Sequence, residues 1–156
     1  MKRDRETGRR TDGEAKSWGN LFLVVMLAIM ITACALKASR GGIPSEVDLV
    51  VSTFSDDMEN GRYDKIYNEA AEQWRRDATV EQSNNALATL RAELGKVSGR
   101  SMHSATESHT SGLGHSFDIS YETRFERGEG METFTVIDQN GHWLLARYLV
   151  NSTALR

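Results

Sequence analysis

The stretch Phe117-Asp-Ile-Ser-Tyr-Glu-Thr-Arg-Phe125 decides the fold. Phe117, Ile119, Tyr121, Thr123 and Phe125 alternate with Asp118, Ser120, Glu122 and Arg124. A period of two is that of a strand with one face buried and the other in water. Downstream, Arg127-Gly-Glu-Gly130 reads as a turn into a strand over 131–138. Asn140-Gly141 is then a two-residue hairpin, because both central positions of a type I′ turn need positive φ. It leads into a last strand from His142 to Val150. Upstream, 97–108 is polar and rich in serine and threonine, an exposed edge strand or irregular extended segment.

Before Lys96 the period is helical. Val47, Val50, Val51, Phe54 and Met58 make one apolar face, with Ser45 placed as N-cap and Asn60-Gly61 as the stop. A second helix is expected over 63–75, carried by Tyr63, Ile66, Tyr67, Ala70 and Trp74. The third opens on Thr79-Val-Glu-Gln82, a capping-box spacing, buries Leu87, Leu90 and Leu94, and stops at Gly95. Helices followed by a meander give an α+β fold: three N-terminal helices on one face of a curved antiparallel sheet of three to four strands.

The 156 residues carry 19 Lys plus Arg and 22 Asp plus Glu, a formal net charge of −3. That is no nucleic-acid footprint. With 39% hydrophobic and 26% charged residues the chain is ordinary globular material, and its single cysteine excludes an intramolecular disulfide. The charge is nevertheless uneven. Residues 1–20 hold six basic and four acidic side chains, residues 21–36 hold neither, and 37–156 hold 13 and 18. The uncharged run Leu21 to Leu36 spans about 24 Å as a helix, short of a bilayer core of about 30 Å, which suits a signal h-region. It contains Ile31-Thr-Ala-Cys34, which resembles the bacterial lipobox and would make Cys34 the lipidated terminus; an uncleaved signal anchor is the other reading. Both put the basic N-terminus in the cytoplasm and the domain outside. The organisation expected is a basic n-region at 1–20, a signal or anchor at 21–36, a linker at 37–44, the domain at 45–150 and a tail at 151–156. The partner is then the lipid bilayer, through 21–36 or lipidated Cys34.

The run Leu94-Gly-Lys-Val-Ser-Gly-Arg100, the alternating strand, Glu132-Thr-Phe-Thr-Val136, Trp143 and Tyr148 together resemble the bacterial domain of unknown function 4019 family, over 45–150. The resemblance implies a cystatin-like or nuclear-transport-factor-like α+β roll, in which a curved sheet wraps a long helix, in a protein that is often exported. It implies no activity.

Two-residue turns at Gly128-Glu129 and Asn140-Gly141 would gather Phe117, Ile119, Tyr121, Phe125, Phe134, Val136, Trp143, Leu145 and Leu149 on one face. That face also receives Glu132 and Arg147, as diagonal neighbours within ion-pair reach. One reading is a ligand cavity floored by Glu132 and Arg147 with Tyr121 beside them; the other is a structural ion pair. Leu144, Ala146, Tyr148 and Val150 would fall on the opposite face, an apolar surface suited to a homodimer. His103, His109 and His115 lie six apart, and a hairpin would bring the last two together. No carboxylate is fixed beside them by spacing, so they read as solvent-exposed, and neither metal nor cofactor is expected. No nucleophile elbow or Gly-rich phosphate loop is present. Three functions fit: a tethered envelope binding or interaction module without chemistry of its own, a small enzyme using Glu132, or a homo-oligomeric assembly subunit.

Overall fold

A computed structural model describes residues 42–155. The n-region, the apolar run and Cys34 lie outside the described residues. No helix among the described residues is long and apolar enough to cross a membrane. Helices α1 (Ser45–Glu59), α2 (Tyr63–Glu69), α3 (Glu72–Asp77) and α4 (Val80–Leu94) precede strands β1 (Val97–Thr110), β2 (Gly114–Phe125), β3 (Gly128–Gln139) and β4 (His142–Ser152). The strands form one antiparallel sheet in the order β1-β2-β3-β4. Among the described residues the class is α+β, with four helices where three are expected and a full fourth strand where the serine-rich segment stands.

The extra helix comes from a break at Ala70-Ala71, both in extended conformation. Ala71 is fully buried, and its N–H donates to the Leu145 carbonyl of edge strand β4 at 2.9 Å. Continuing the helix would take that donor away from the sheet. The other punctuation follows local chemistry. Pro44, not Ser45, occupies the N-cap of α1, and its carbonyl accepts from Val47 and Asp48. Thr79 and Gln82 close a complete capping box on α4. Asn140 and Gly141 take φ of 59° and 81°, as the hairpin requires.

The core lies between the helices and one face of the sheet. Val47, Val51 and Phe54 of α1, Ile66 of α2 and Leu87 of α4 pack on Phe117, Ile119, Tyr121, Phe134, Val136 and Leu145. Phe134 sits at its centre, 5.5 Å from Phe54, 5.8 Å from Tyr121 and 5.0 Å from Tyr148 between ring centroids.

Both hairpins depart from the expected register, with opposite consequences. The β2–β3 turn is Glu126-Arg127, so Phe125 faces Gly128 instead of Glu132. It is pinned from outside: Glu126 N–H donates to the Lys96 carbonyl and Arg127 N–H to the Leu94 carbonyl, at the end of α4. The slide of four places is even, so every side chain stays on its expected face. In the β3–β4 hairpin, Val136 faces Leu145 as expected, but Thr135 faces Arg147. Ala146 is an extra residue in a β-bulge, and that odd step inverts the rest of β4. Tyr148 turns into the core, whereas Arg147 lies exposed and Leu149 is 56% exposed. The expected Glu132–Arg147 pair and the inward Leu149 are therefore corrected. So is the apolar outer stripe, since Ala146 is buried and Tyr148 faces the helices. Strand β4 also runs on through Ser152, past the expected domain end at Val150.

Candidate functional site

Glu132 is the most buried charge in the domain's core, 1% exposed on the inner face of β3 and directly opposite Tyr121. Its partner is Arg100 of β1. Arg100 Nε donates to Oε2 at 2.7 Å and Nη2 to Oε1 at 2.9 Å, the bidentate fork of a strong guanidinium–carboxylate pair. Tyr148 OH donates to Oε1 at 2.7 Å, and Thr123 Oγ1 donates to Oε2. A carboxylate offers about four lone-pair sites, and four donors fill them. The remaining Arg100 amine, Nη1, donates to Ser55 Oγ at 2.6 Å, and Ser55 in turn donates to the Val51 carbonyl inside α1. The guanidinium lies 5.4 Å from the ring centroids of Tyr121 and Phe134, within cation–π range. Burial pushes the Tyr148 hydroxyl well above the ordinary phenol value, and the Glu132 carboxylate beside it adds to the shift. Tyr121 is raised for the same first reason, burial.

This arrangement settles what the cluster can do chemically. A carboxylate whose lone pairs are all engaged has none free to accept a proton from a substrate. The space beside it, lined by Phe54, Ser55, Arg100, Glu132 and Tyr148 among others, is a cavity of about 30 Å³, room for ordered water and far below the size of an organic-ligand pocket. On the expected cavity floor, the Glu132 carboxylate is enclosed by protein, while Tyr121 borders a wider space. Of the floor's three residues, Glu132 and Tyr121 come together and Arg147 does not join them. Sequence reasoning missed Arg100, which is the one Lys or Arg within β1; irregular register at Val97/Gly99 and at Met102/Ser104 hides which way that strand faces. It missed Tyr148 because nothing in the pattern marks the bulge.

Arg100 also borders two wider hollows, one of about 490 Å³ with Asp48, Met102 and Tyr121 on its walls and one of about 670 Å³ with Glu122, Thr123 and Glu129 on its walls. A groove of about 460 Å³ runs between α1, the α2–α3 junction and β4, with Leu49, Phe54, Ile66, Trp143, Leu144 and Leu145 on its walls. Leu49 stands on the rim, 63% exposed. Asp57 lies in the same wall, 2% exposed, and accepts from Arg62 Nε at 2.6 Å and Lys65 Nζ at 2.8 Å. Burial alone would raise its carboxyl; the bonds from Lys65 and Arg62 outweigh burial and hold it below the ordinary carboxylate value.

Comparison with protein families matches residues 52–148, more than half of the chain, to the family described as a protein of unknown function, DUF4019. The chain belongs to the DUF4019 family. A search of curated proteins found no match. The match takes in α1 from Ser52 and ends at Tyr148, so Arg100, Thr123, Glu132 and Tyr148 all lie inside the family's domain.

Proposed function

We propose that this DUF4019 chain is a membrane-tethered, extracytoplasmic, non-catalytic interaction module of the bacterial cell envelope, and that the groove beside β4 receives an apolar side chain of a partner polypeptide. The observation that carries the binding half is the contrast between the two spaces. The space around the polar cluster is walled by charged and polar side chains whose central pair, Arg100 and Glu132, is already satisfied, whereas the groove is walled mainly by apolar side chains, is of ordinary ligand-pocket size and has a leucine exposed on its rim. The tether rests on the uncharged run 21–36, the lipobox-like Ile31-Thr-Ala-Cys34 and the basic excess ahead of them.

A photoreactive side chain placed at Thr53, inside the groove, tests the reading in intact cells. One discrete protein adduct is expected, lost with Leu49→Asp and kept with Leu149→Asp, the exposed leucine outside the groove. No adduct, or an adduct indifferent to Leu49→Asp, overturns the groove as the binding surface.

A further inference from the structure

The far end of the β1–β2 hairpin holds a group that neither the fold nor the proposed interaction uses. His109 and His115 are a directly opposed cross-strand pair, and Glu107, two residues before His109, is on the same face of β1. Their imidazoles stack with centroids 4.1 Å apart. The Glu107 carboxylate reaches both: Oε1 is 2.7 Å from His115 Nε2 and 3.6 Å from His109 Nε2. One donor atom from each of the three lies within 4.8 Å of the others.

We propose that Glu107, His109 and His115 form a binding site for a divalent transition-metal ion, with zinc the best match. Two imidazoles and one carboxylate are a borderline donor set that favours zinc, nickel or copper over calcium or magnesium. Zinc bonds of about 2.0–2.2 Å in tetrahedral array place neighbouring donor atoms about 3.3 Å apart. The two Glu107–histidine separations, 2.7 and 3.6 Å, bracket that value, and a metal enters once the stacked imidazoles turn so that both ring nitrogens aim at one point. Hairpin pairing fixes the three Cα positions, and His115 is further held by Trp143, edge-on at 4.8 Å, and by Phe117 at 5.6 Å. The set is open to solvent, with side chains 53%, 70% and 31% exposed in chain order, so an ion has a path in. Three protein ligands leave the fourth position to water, the plan of an exchangeable site and not of a closed structural one.

Of the three histidine–carboxylate pairings among the described residues, two share Glu107 and form this cluster. His103 meets Glu122 alone, at 3.2 Å. His103→Ala therefore serves as a control for non-specific imidazole binding.

The test is zinc titration of the purified full-length chain against a chromophoric chelator, with copper quenching of tryptophan fluorescence as a second readout. Wild type and His103→Ala are expected to bind one zinc with equal affinity. Glu107→Gln should weaken binding at least tenfold, and the His109→Ala/His115→Ala double variant should abolish it. Copper should quench wild type more than Trp143→Phe. Circular dichroism checks that the surface variants remain folded. No stoichiometric zinc, or zinc retained by the double histidine variant, overturns the site.

Discussion

Arg100 is the charged partner of buried Glu132, so removing either of the two leaves the other's charge unpaired in the core. Truncating one member of such a pair costs about 3–5 kcal/mol, so Glu132→Ala and Arg100→Ala should each lower stability by that amount in urea unfolding. The double variant should cost less than the two singles together, with a coupling of about 0.5–3 kcal/mol. Arg147→Ala, on the exposed side, should stay within about 0.5 kcal/mol of wild type and be additive with Glu132→Ala. Coupling between Glu132 and Arg147 would refute the bulged register. Tyr148 carries a pH signature of its own. Its folded-state pKa lies above the ordinary value of about 10, so its stabilising contribution is fully present below that pH. As pH rises further, the unfolded chain releases the phenolic proton while the folded one keeps it, and stability falls by about 1.4 kcal/mol per pH unit. Tyr121 adds a loss of the same sign. Tyr148→Phe should thus be less stable at neutral pH, by about 1.5–3 kcal/mol for the lost bond to a charged group, yet decline less steeply above pH about 10. An unchanged slope would contradict the buried Tyr148–Glu132 contact.

At the scale of elements, Ala146 is the residue on which β4 turns. Deleting it removes the bulge and still leaves Thr135 opposite Arg147 and Phe134 opposite Tyr148, so Tyr148 keeps its place beside Glu132. The expected cost is that of a buried alanine's contacts with Ala71 and Ile137, about 1–2 kcal/mol in urea unfolding, with near-ultraviolet dichroism retained. A deletion variant that loses its near-ultraviolet dichroism would contradict this pairing. The same residue explains what could be read in advance. Strand identities, the Asn140-Gly141 turn, the capping box at Thr79 and the inward set on β2 and β3 all follow from local periodicity and turn chemistry. The misplaced β2–β3 turn did no harm because its error was even. The bulge was invisible because a single extra alanine leaves no mark on an apolar run, and Arg100 because its strand is irregular on both sides of it. The split at Ala70-Ala71 depends on a carbonyl 74 positions away in sequence, which no local pattern contains.

For the whole molecule, the tether and the export direction are open to one pair of measurements. Membrane-purified chain that begins at Cys34 and carries a diacylglycerol mass is a lipoprotein, and chain that retains all 156 residues is held by 21–36. In either form, protease added to cells with a permeabilised outer barrier should digest the domain. Protection that persists until the inner membrane is broken would contradict the extracytoplasmic assignment.

The polar line from Glu132 through Arg100 to Ser55 has a mechanical meaning as well. It joins β3, β1 and α1, and α1 is the first described element after the N-terminal segment. A pull on residue 42 therefore loads α1 before anything else. Apolar contacts let a helix creep along a sheet, trading one neighbour for the next, but a guanidinium amine aimed at a single hydroxyl has one seat. Ser55 keys the helix to the sheet at a fixed depth, and force along the chain meets a shear pin rather than a greased surface.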